Sequence, residues 1–281
     1  MAALTRPLGA KHMAPTTVLI TGAAGNLGSK LRRHLQSHGR YNLRLLDIDP
    51  RQDDAILQAD LGQWNKRWVD QFGGVHTVFH LAADPTAHQT WGNVIGPNMD
   101  AVANVLQAAA VSGVRRVVYA SSNHVMGGYS DDPHPARLTT DLPPRPGTHY
   151  ESSGERRDST PYASAKLFGE RLCKCYAESC GLQALAVRIG WVRPAENRPE
   201  DIPLERGPWF RLMWLSNRDF CHLMECCLIA EMSVPFAVIN GMSANTGMRW
   251  DLEYTRQIVG YEPKDDITAV DQGSRSHTMM K

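Results

Sequence analysis

The sequence predicts an α/β protein built on a doubly wound parallel sheet, with a small C-terminal subdomain beside it. Three observations carry this. Along the first half, short apolar runs alternate with amphipathic stretches, which is the pattern of β-α-β units. The first run is followed at once by glycines at 22, 25 and 28 that open a leucine-striped stretch. Beyond Gly190 the pattern changes, because Pro194, Pro199, Pro203 and Pro208 break any long regular element.

The elements follow in order. Thr17-Val-Leu-Ile-Thr21 reads as the first strand, and Leu27, Leu31 and Leu35 then fall on one helical stripe. Leu43–Asp47 is the second strand and Ile56–Asp60 a short third. Val75–Leu81 and Arg116–Ala120 are buried strands, separated by the alanine-rich helical segment Asn98–Ser112. Tyr162 and Lys166 lie on a helix that leads to a strand at Leu185–Ile189. The charged, proline-containing segment Ser130–Ser159 is expected to be a long surface excursion, a lid or a loop without regular structure. Near the end come a helix at Phe220–Ile229, a strand at Phe236–Ile239 and a helix at Leu252–Val259. The expected architecture is thus a Rossmann-type sheet in residues 16–190, with 191–281 interleaved with it as a substrate-binding region. Met1–Pro15 has no hydrophobic period and is left out of the fold.

Composition narrows what this fold could do. At 281 residues the chain suits one large α/β domain with a small appendage. A formal net charge of +1 without a lysine or arginine run offers nothing to a phosphate backbone, so nucleic-acid binding is not expected. No apolar run reaches the roughly 20 residues of a membrane span, and the N-terminus lacks a secretory apolar core, so a cytoplasmic protein is expected. The six cysteines, at 173, 175, 180, 221, 226 and 227, form no paired C-x-x-C arrangement. They read as small buried or half-buried thiols, and no metal is expected.

The glycine-rich turn carries the first chemistry. Gly22, Gly25 and Gly28 let a backbone and a helix N-terminus approach a pyrophosphate, with Asn26 and Leu27 between them. Asp47 closes the second strand, where an acid accepts bonds from adenosine ribose hydroxyls. That carboxylate, with Asp49 beside it, disfavours the extra phosphate of NADP, while Arg44 and Arg51 oppose that preference. NAD is the expected cofactor. Asp60 and Leu61 suit contacts to adenine, and Leu81, Ala82 and Ala83 at a strand end would line the cofactor channel.

The second chemistry lies in Thr160-Pro-Tyr-Ala-Ser-Ala-Lys166. Four-residue spacing stacks Tyr162 and Lys166 on one helical face, so an ammonium there would favour the ionised phenol. A phenol that titrates near 10 when free would then work nearer neutral pH.

Together with His80-Leu-Ala-Ala83, Asn98 and Ser121-Ser122, these motifs resemble the extended short-chain dehydrogenase/reductase superfamily of NAD-dependent epimerases and dehydratases. The likeness covers nearly the whole chain. Ala120–His124 with Gly127, Trp214–Phe220, and Gly241–Asn245 with Trp250-Asp251 resemble, more narrowly, the uronate dehydrogenases. That resemblance implies oxidation of a cyclic, anionic aldose (a hexuronate or a sulfonated hexose) at its anomeric carbon to a lactone. It implies Tyr162 as the base, Ser122 on the same oxygen, Lys166 and Asn98 on the cofactor side, and Asn123 with His124 on the sugar's hydroxyls.

Departures from the pattern fall in the substrate pocket. Asp84-Pro85-Thr86 stands where those dehydrogenases carry a substrate-touching serine, which leaves Thr86 as the substitute. Trp191 replaces a small polar residue and reshapes the pocket. Arg206 and Arg211 are the candidates to grip the acid group.

Two other readings use the same residues. A nucleotide-sugar epimerase or dehydratase carries the same Ser/Tyr/Lys set but usually a larger C-terminal domain than the segment after Gly190. A non-catalytic NAD-binding regulator would not need that set intact. Homo-oligomers, with two helices per subunit forming a four-helix interface, are a further expectation of the fold.

Overall fold

The computed structural model describes residues 15–269, apart from Ser153, Glu205 and Arg206. The extension Met1–Pro15, but for its last residue, and the candidate Arg206 therefore lie outside the described residues.

β1 (Thr16–Thr21), α1 (Asn26–His38) and β2 (Tyr41–Asp47) form the first β-α-β unit, and β3 (Ile56–Gln58) pairs alongside β2. The short α2 (Lys66–Val69) leads to β4 (Thr77–His80). Next come α3 (Trp91–Val94), a π-helical turn over Ile95–Asp100, and α4 (Ala101–Val111). β5 (Arg116–Ser122), the antiparallel hairpin β6 (His149–Ser152) and β7 (Glu155–Asp158), and the long α5 (Thr160–Cys180) carry the chain to β8 (Gln183–Ile189). The last elements are α6 (Gly207–Leu212), α7 (Asn217–Ile229), β9 (Phe236–Gly241) and α8 (Glu253–Val259).

Seven of the strands form one parallel sheet in the order β3-β2-β1-β4-β5-β8-β9. Strand order reverses between β1 and β4, and in such sheets a crevice opens there, beyond the carboxyl ends of the strands. Along β1 the buried side chains alternate between faces: Val18 and Ile20 pack with Leu31 and Leu35 of α1, and Leu19 with Val102, Val105 and Leu106 of α4. The sheet is apolar on both sides because helices cover both.

The structure departs from the sequence-based expectation in two places. The helix expected from Asn98 starts at Ala101, after the π-helical turn. The excursion after Ser130 is packed: Leu138 is buried, its carbonyl accepts from Asn240 Nδ2 (3.1 Å) and its amide donates to Arg249 O (2.7 Å). That anchoring fuses the excursion with residues 213–250 into one apolar cluster of Met126, Tyr129, Leu138, Met213, Met242 and Trp250. The last strand of the sheet, β9, also comes from the region after residue 190.

All six cysteines are free; Cys173, Cys226 and Cys227 are buried, whereas Cys175 and Cys180 are exposed. Among the described residues one group has metal-ligand character, His34, His38 and Glu225. Its carboxylate is already engaged by Arg40 (2.5 Å) and His34 (3.1 Å), which tie α1 to α7. No helix of the described residues is long and apolar enough to cross a membrane.

Candidate active site

A cavity of about 870 Å³ runs along the carboxyl ends of the strands, at the upper end of the roughly 300–1,000 Å³ common for ligand pockets. At one end is the glycine turn. Gly22 has φ +68°, and a Cβ there would stand 2.8 Å from Ala82 N; one on Gly28 would stand 2.0 Å from Gly22 O. These contacts bring β1, the start of α1 and the end of β4 together at backbone distance. The N-terminus of α1 has no side-chain cap and no acid in its first turn, so its amides face the cavity as an anion site.

Asp47 is pinned beside this turn. Its Oδ2 accepts from Ala24 N (2.9 Å) and its Oδ1 from Asp49 N (3.1 Å). Asp49 and Arg51 line the cavity with it, whereas the Arg44 guanidinium turns away to Gln71 O and Gly73 O. Asp60 turns the chain at the same end, its Oδ1 accepting from Gly62 N (3.0 Å).

The other end holds the reactive groups. α5 presents Tyr162 and Lys166 to the end of β5, where Ser122 sits. Ser122 Oγ accepts from His124 N (3.2 Å), which leaves its own proton for the Tyr162 oxygen. Burial pushes the phenol up to about 12, the Ser122 hydrogen bond pulls the other way, and the Asp84 carboxylate adds to the rise. Lys166 donates to Ala120 O (2.9 Å) with its Nζ 5.7 Å from the Tyr162 ring centre, and burial lowers it to about 8. A phenol ionised near neutral pH is therefore not what the folded chain alone provides. The physical reason is that desolvation of Tyr162, with the Asp84 charge, outweighs the Ser122 hydrogen bond.

His124 is neutral at ordinary pH, burial lowering it to about 4. Its Nδ1 bonds Ser159 Oγ (2.9 Å), and its ring stands edge-on to Tyr162 at 5.7 Å. Phe210 and Trp191 continue the wall, each ring centre 6.4 Å from the next along the series His124, Phe210, Trp191. Asn123 Nδ2 is spent on Ile189 O (3.0 Å).

This arrangement can hold a dinucleotide along the strand ends with a small hydroxylated molecule between Tyr162 and the aromatic wall. The pattern of the NAD dependent epimerase/dehydratase family matches residues 18–201. The chain belongs to that family. An NAD-dependent glucose-6-phosphate dehydrogenase of Haloferax volcanii is 32% identical over 89% of this chain and 93% of that protein. An L-arabinose 1-dehydrogenase (NAD(P)(+)) of the same organism is 31% identical over 90% and 98%. Among solved structures, the uronate dehydrogenase of Agrobacterium tumefaciens superposes with a TM-score of 0.73 at 29% identity, over 94% of this chain and 90% of that one. The protein is an NAD-dependent oxidoreductase acting on CH–OH groups.

The residues present fit NAD. The glycine cradle is filled by any Cβ, the uncapped α1 N-terminus suits a pyrophosphate, and Asp47 is fixed beside that turn as a hydrogen-bond acceptor. Asp47→Ala is expected to weaken NAD about 10- to 100-fold, since a hydrogen bond to a charged acceptor contributes roughly 1.5–3 kcal/mol, and to narrow the gap to NADP. Equilibrium titration with both dinucleotides checks this; unchanged affinities would remove the role.

The cavity gathers most of the residues singled out in the sequence. Gly22, Gly25, Asn26, Leu27, Gly28, Asp47, Asp60, Leu61, Leu81, Ala82 and Ala83 line its cofactor end. Thr86, Ser122, Asn123, His124, Tyr162, Lys166 and Trp191 line the other. Asn98 and Arg211 are not on its wall. Asn98 is buried and holds the Asp84 backbone on both sides, Oδ1 accepting from Asp84 N (2.8 Å) and Nδ2 donating to Asp84 O (3.1 Å). Sequence reasoning missed Phe210 and Met213, whose only signal was the largely apolar segment Trp209–Leu215, interrupted by Arg211, in a proline-broken region. It also read Asp84 only as a departure from the pattern.

Proposed function

We propose that this enzyme oxidises C1 of a free cyclic aldose to the lactone, with NAD as the electron acceptor. The observation that carries this is the Ser122–Tyr162–Lys166 set opening onto a wall of His124, Phe210 and Trp191, the surface on which the C–H face of a sugar ring stacks. The relatives named above act on glucose 6-phosphate, arabinose and uronate, three sugars with a free anomeric hydroxyl. An acid sugar, hexuronate or sulfonated hexose, keeps its acid group at the C5–C6 end, away from Tyr162.

The residues divide the work. Ser122 holds the C1 oxygen and Tyr162 takes its proton as the C1–O bond becomes a carbonyl. NAD, when bound beside Tyr162, would supply the acceptor for the C1 hydride. Lys166 places a positive charge near the phenol oxygen and can reach the cofactor's ribose. His124, neutral and tethered to Ser159, offers its remaining ring nitrogen to a sugar hydroxyl rather than a proton to the reaction. Phe210, Trp191 and Met213 exclude water from the carbon that gives up the hydride.

The test is NADH absorbance with NAD and a panel of arabinose, glucose, glucose 6-phosphate, glucuronate, galacturonate and 6-sulfoquinovose. Turnover with at least one of them, and lactone as the product, supports the reading. Silence across the panel with NAD binding intact would sink it. Epimerisation of a UDP-sugar without net NADH would replace it with the epimerase reading.

A further inference from the structure

The pocket contains a carboxylate that neither the cofactor site nor the proton transfer uses. Asp84 lines the cavity just past β4, half-buried, and its charge acts on the Tyr162 phenol. The side chain is built in: Oδ1 accepts from Thr86 N (2.9 Å) and Oδ2 from Gln89 Nε2 (3.1 Å). Behind it, buried Asn98 clamps both the amide and the carbonyl of the same residue. A carboxylate has about four acceptor positions, so two remain for a ligand.

We propose that Asp84 accepts the C2 hydroxyl of the sugar and so makes the enzyme select aldoses with a free hydroxyl at C2. This rests on the C1-dehydrogenase reading and extends it. The chemistry around C1 leaves one donor. Its own hydroxyl gives its proton to Tyr162. One ring neighbour is the ring oxygen, which has no proton to give. The other is C2, whose O–H can reach a carboxylate that stands near the base. Lys166 turns an N–H to Ala120 O, and the hydrogen bonds of the Asp84 carboxylate come from Thr86 N and Gln89 Nε2, so Asp84 meets the sugar as an acceptor.

Two consequences follow for specificity. Placing C2 towards Asp84 puts the ring oxygen and the C5 substituent on the opposite side, so an acid group at C6 stays far from this carboxylate. An anionic substituent at C2 meets like charge and is rejected. A site that hydrogen-bonds a substrate hydroxyl also discriminates against the analogue lacking it, because the acceptor positions that met the hydroxyl lose their donor.

The test compares glucose, glucose 6-phosphate and glucuronate, each against its 2-deoxy counterpart, in the parent enzyme, Asp84→Ala and Asp84→Asn. For the parent, kcat/KM is expected to fall at least about tenfold on removal of the C2 hydroxyl. Both variants are expected to lose activity on the full sugar and to treat the two members of a pair alike. Melting temperature and NAD affinity of Asp84→Asn, which keeps an acceptor for Thr86 N, separate loss of the contact from loss of the loop. A parent enzyme indifferent to the C2 hydroxyl, or variants that keep the parent's ratio, would overturn the role of Asp84. Silence of the parent enzyme on every full sugar would instead overturn the C1 reading, and the two failures are read from different columns of the same experiment.

Discussion

Tyr162→Phe is expected to bind NAD as the parent does, to melt at the same temperature, and to lose about 10²- to 10⁴-fold in kcat. The ring is buried against His124 and its packing does not need the hydroxyl. What the substitution removes is the oxygen that Ser122 contacts and to which the proposed mechanism gives the substrate proton. Stopped-flow or steady-state NADH formation with the best sugar of the panel measures the loss, and a kcat near the parent's would remove Tyr162 as the base.

The same residue sets the pH profile. A base must lose its proton before it can take another, and in the folded chain alone this phenol is pushed up to about 12. kcat/KM is therefore expected to climb from neutral towards alkaline pH. The charged and titratable groups around the phenol include Lys166 on α5, Tyr119 on β5, His124 after β5 and Asp84 after β4, of which His124 is already neutral and burial pushes Tyr119 well up. Removing the negative Asp84 lowers the phenol's value, so the rising limb of Asp84→Asn is expected to move to lower pH. A limb that stays in place would disconnect Asp84 from the base.

The second large effect lies under the site. Glu170, one turn after Lys166 on α5, accepts from Arg188 Nε (2.8 Å) and NH2 (2.9 Å) and from Ser121 Oγ (2.6 Å). Both charged side chains are 2% exposed. Arg188 NH1, the remaining guanidinium nitrogen, is buried and has no hydrogen-bond partner among the described residues. Glu170→Ala is expected to destabilise the fold by roughly 3–5 kcal/mol, because it strands a buried guanidinium. The urea midpoint at unchanged slope reads this directly. A double variant, Glu170→Met with Arg188→Met, is expected to regain much of the loss, since an apolar pair of similar volume needs no desolvated charge. A single variant within about 1 kcal/mol of the parent would mean that water reaches Arg188 and the pair is not the anchor described. The anchor matters to function because it locks α5, with Tyr162 and Lys166, onto β5 and β8 at the level of Ser121 and Ser122.

What the chain determined locally was read without coordinates. The alternation of Val18, Leu19 and Ile20 between two apolar faces, the glycines at 22, 25 and 28, the acid at the end of β2 and the turn from Tyr162 to Lys166 are short-range patterns. Periodicity and backbone sterics act within a few residues, so strand, turn and helix face follow from them. The NAD cradle and the proton-transfer pair are of this kind.

Tertiary structure decided everything that depends on residues distant in sequence meeting in space. Burial from several elements, not the neighbouring ammonium, governs the Tyr162 phenol, and no spacing rule reports how much water a fold removes. Leu138 reads as part of a surface excursion until Asn240 and Arg249, about a hundred residues later, take up its backbone. Phe210 and Met213 become pocket walls only because the backbones of Trp191, Met213 and Leu215 are tied together. Asp84 belongs to the same class: beside Pro85 it is a loop acid in the sequence, and the clamp of Asn98 together with the position of α5 makes it a neighbour of the base. Local patterns determined which reaction machinery this protein carries, and long-range packing decided which sugar that machinery can hold, because specificity is set by where unpaired polar groups and aromatic faces converge.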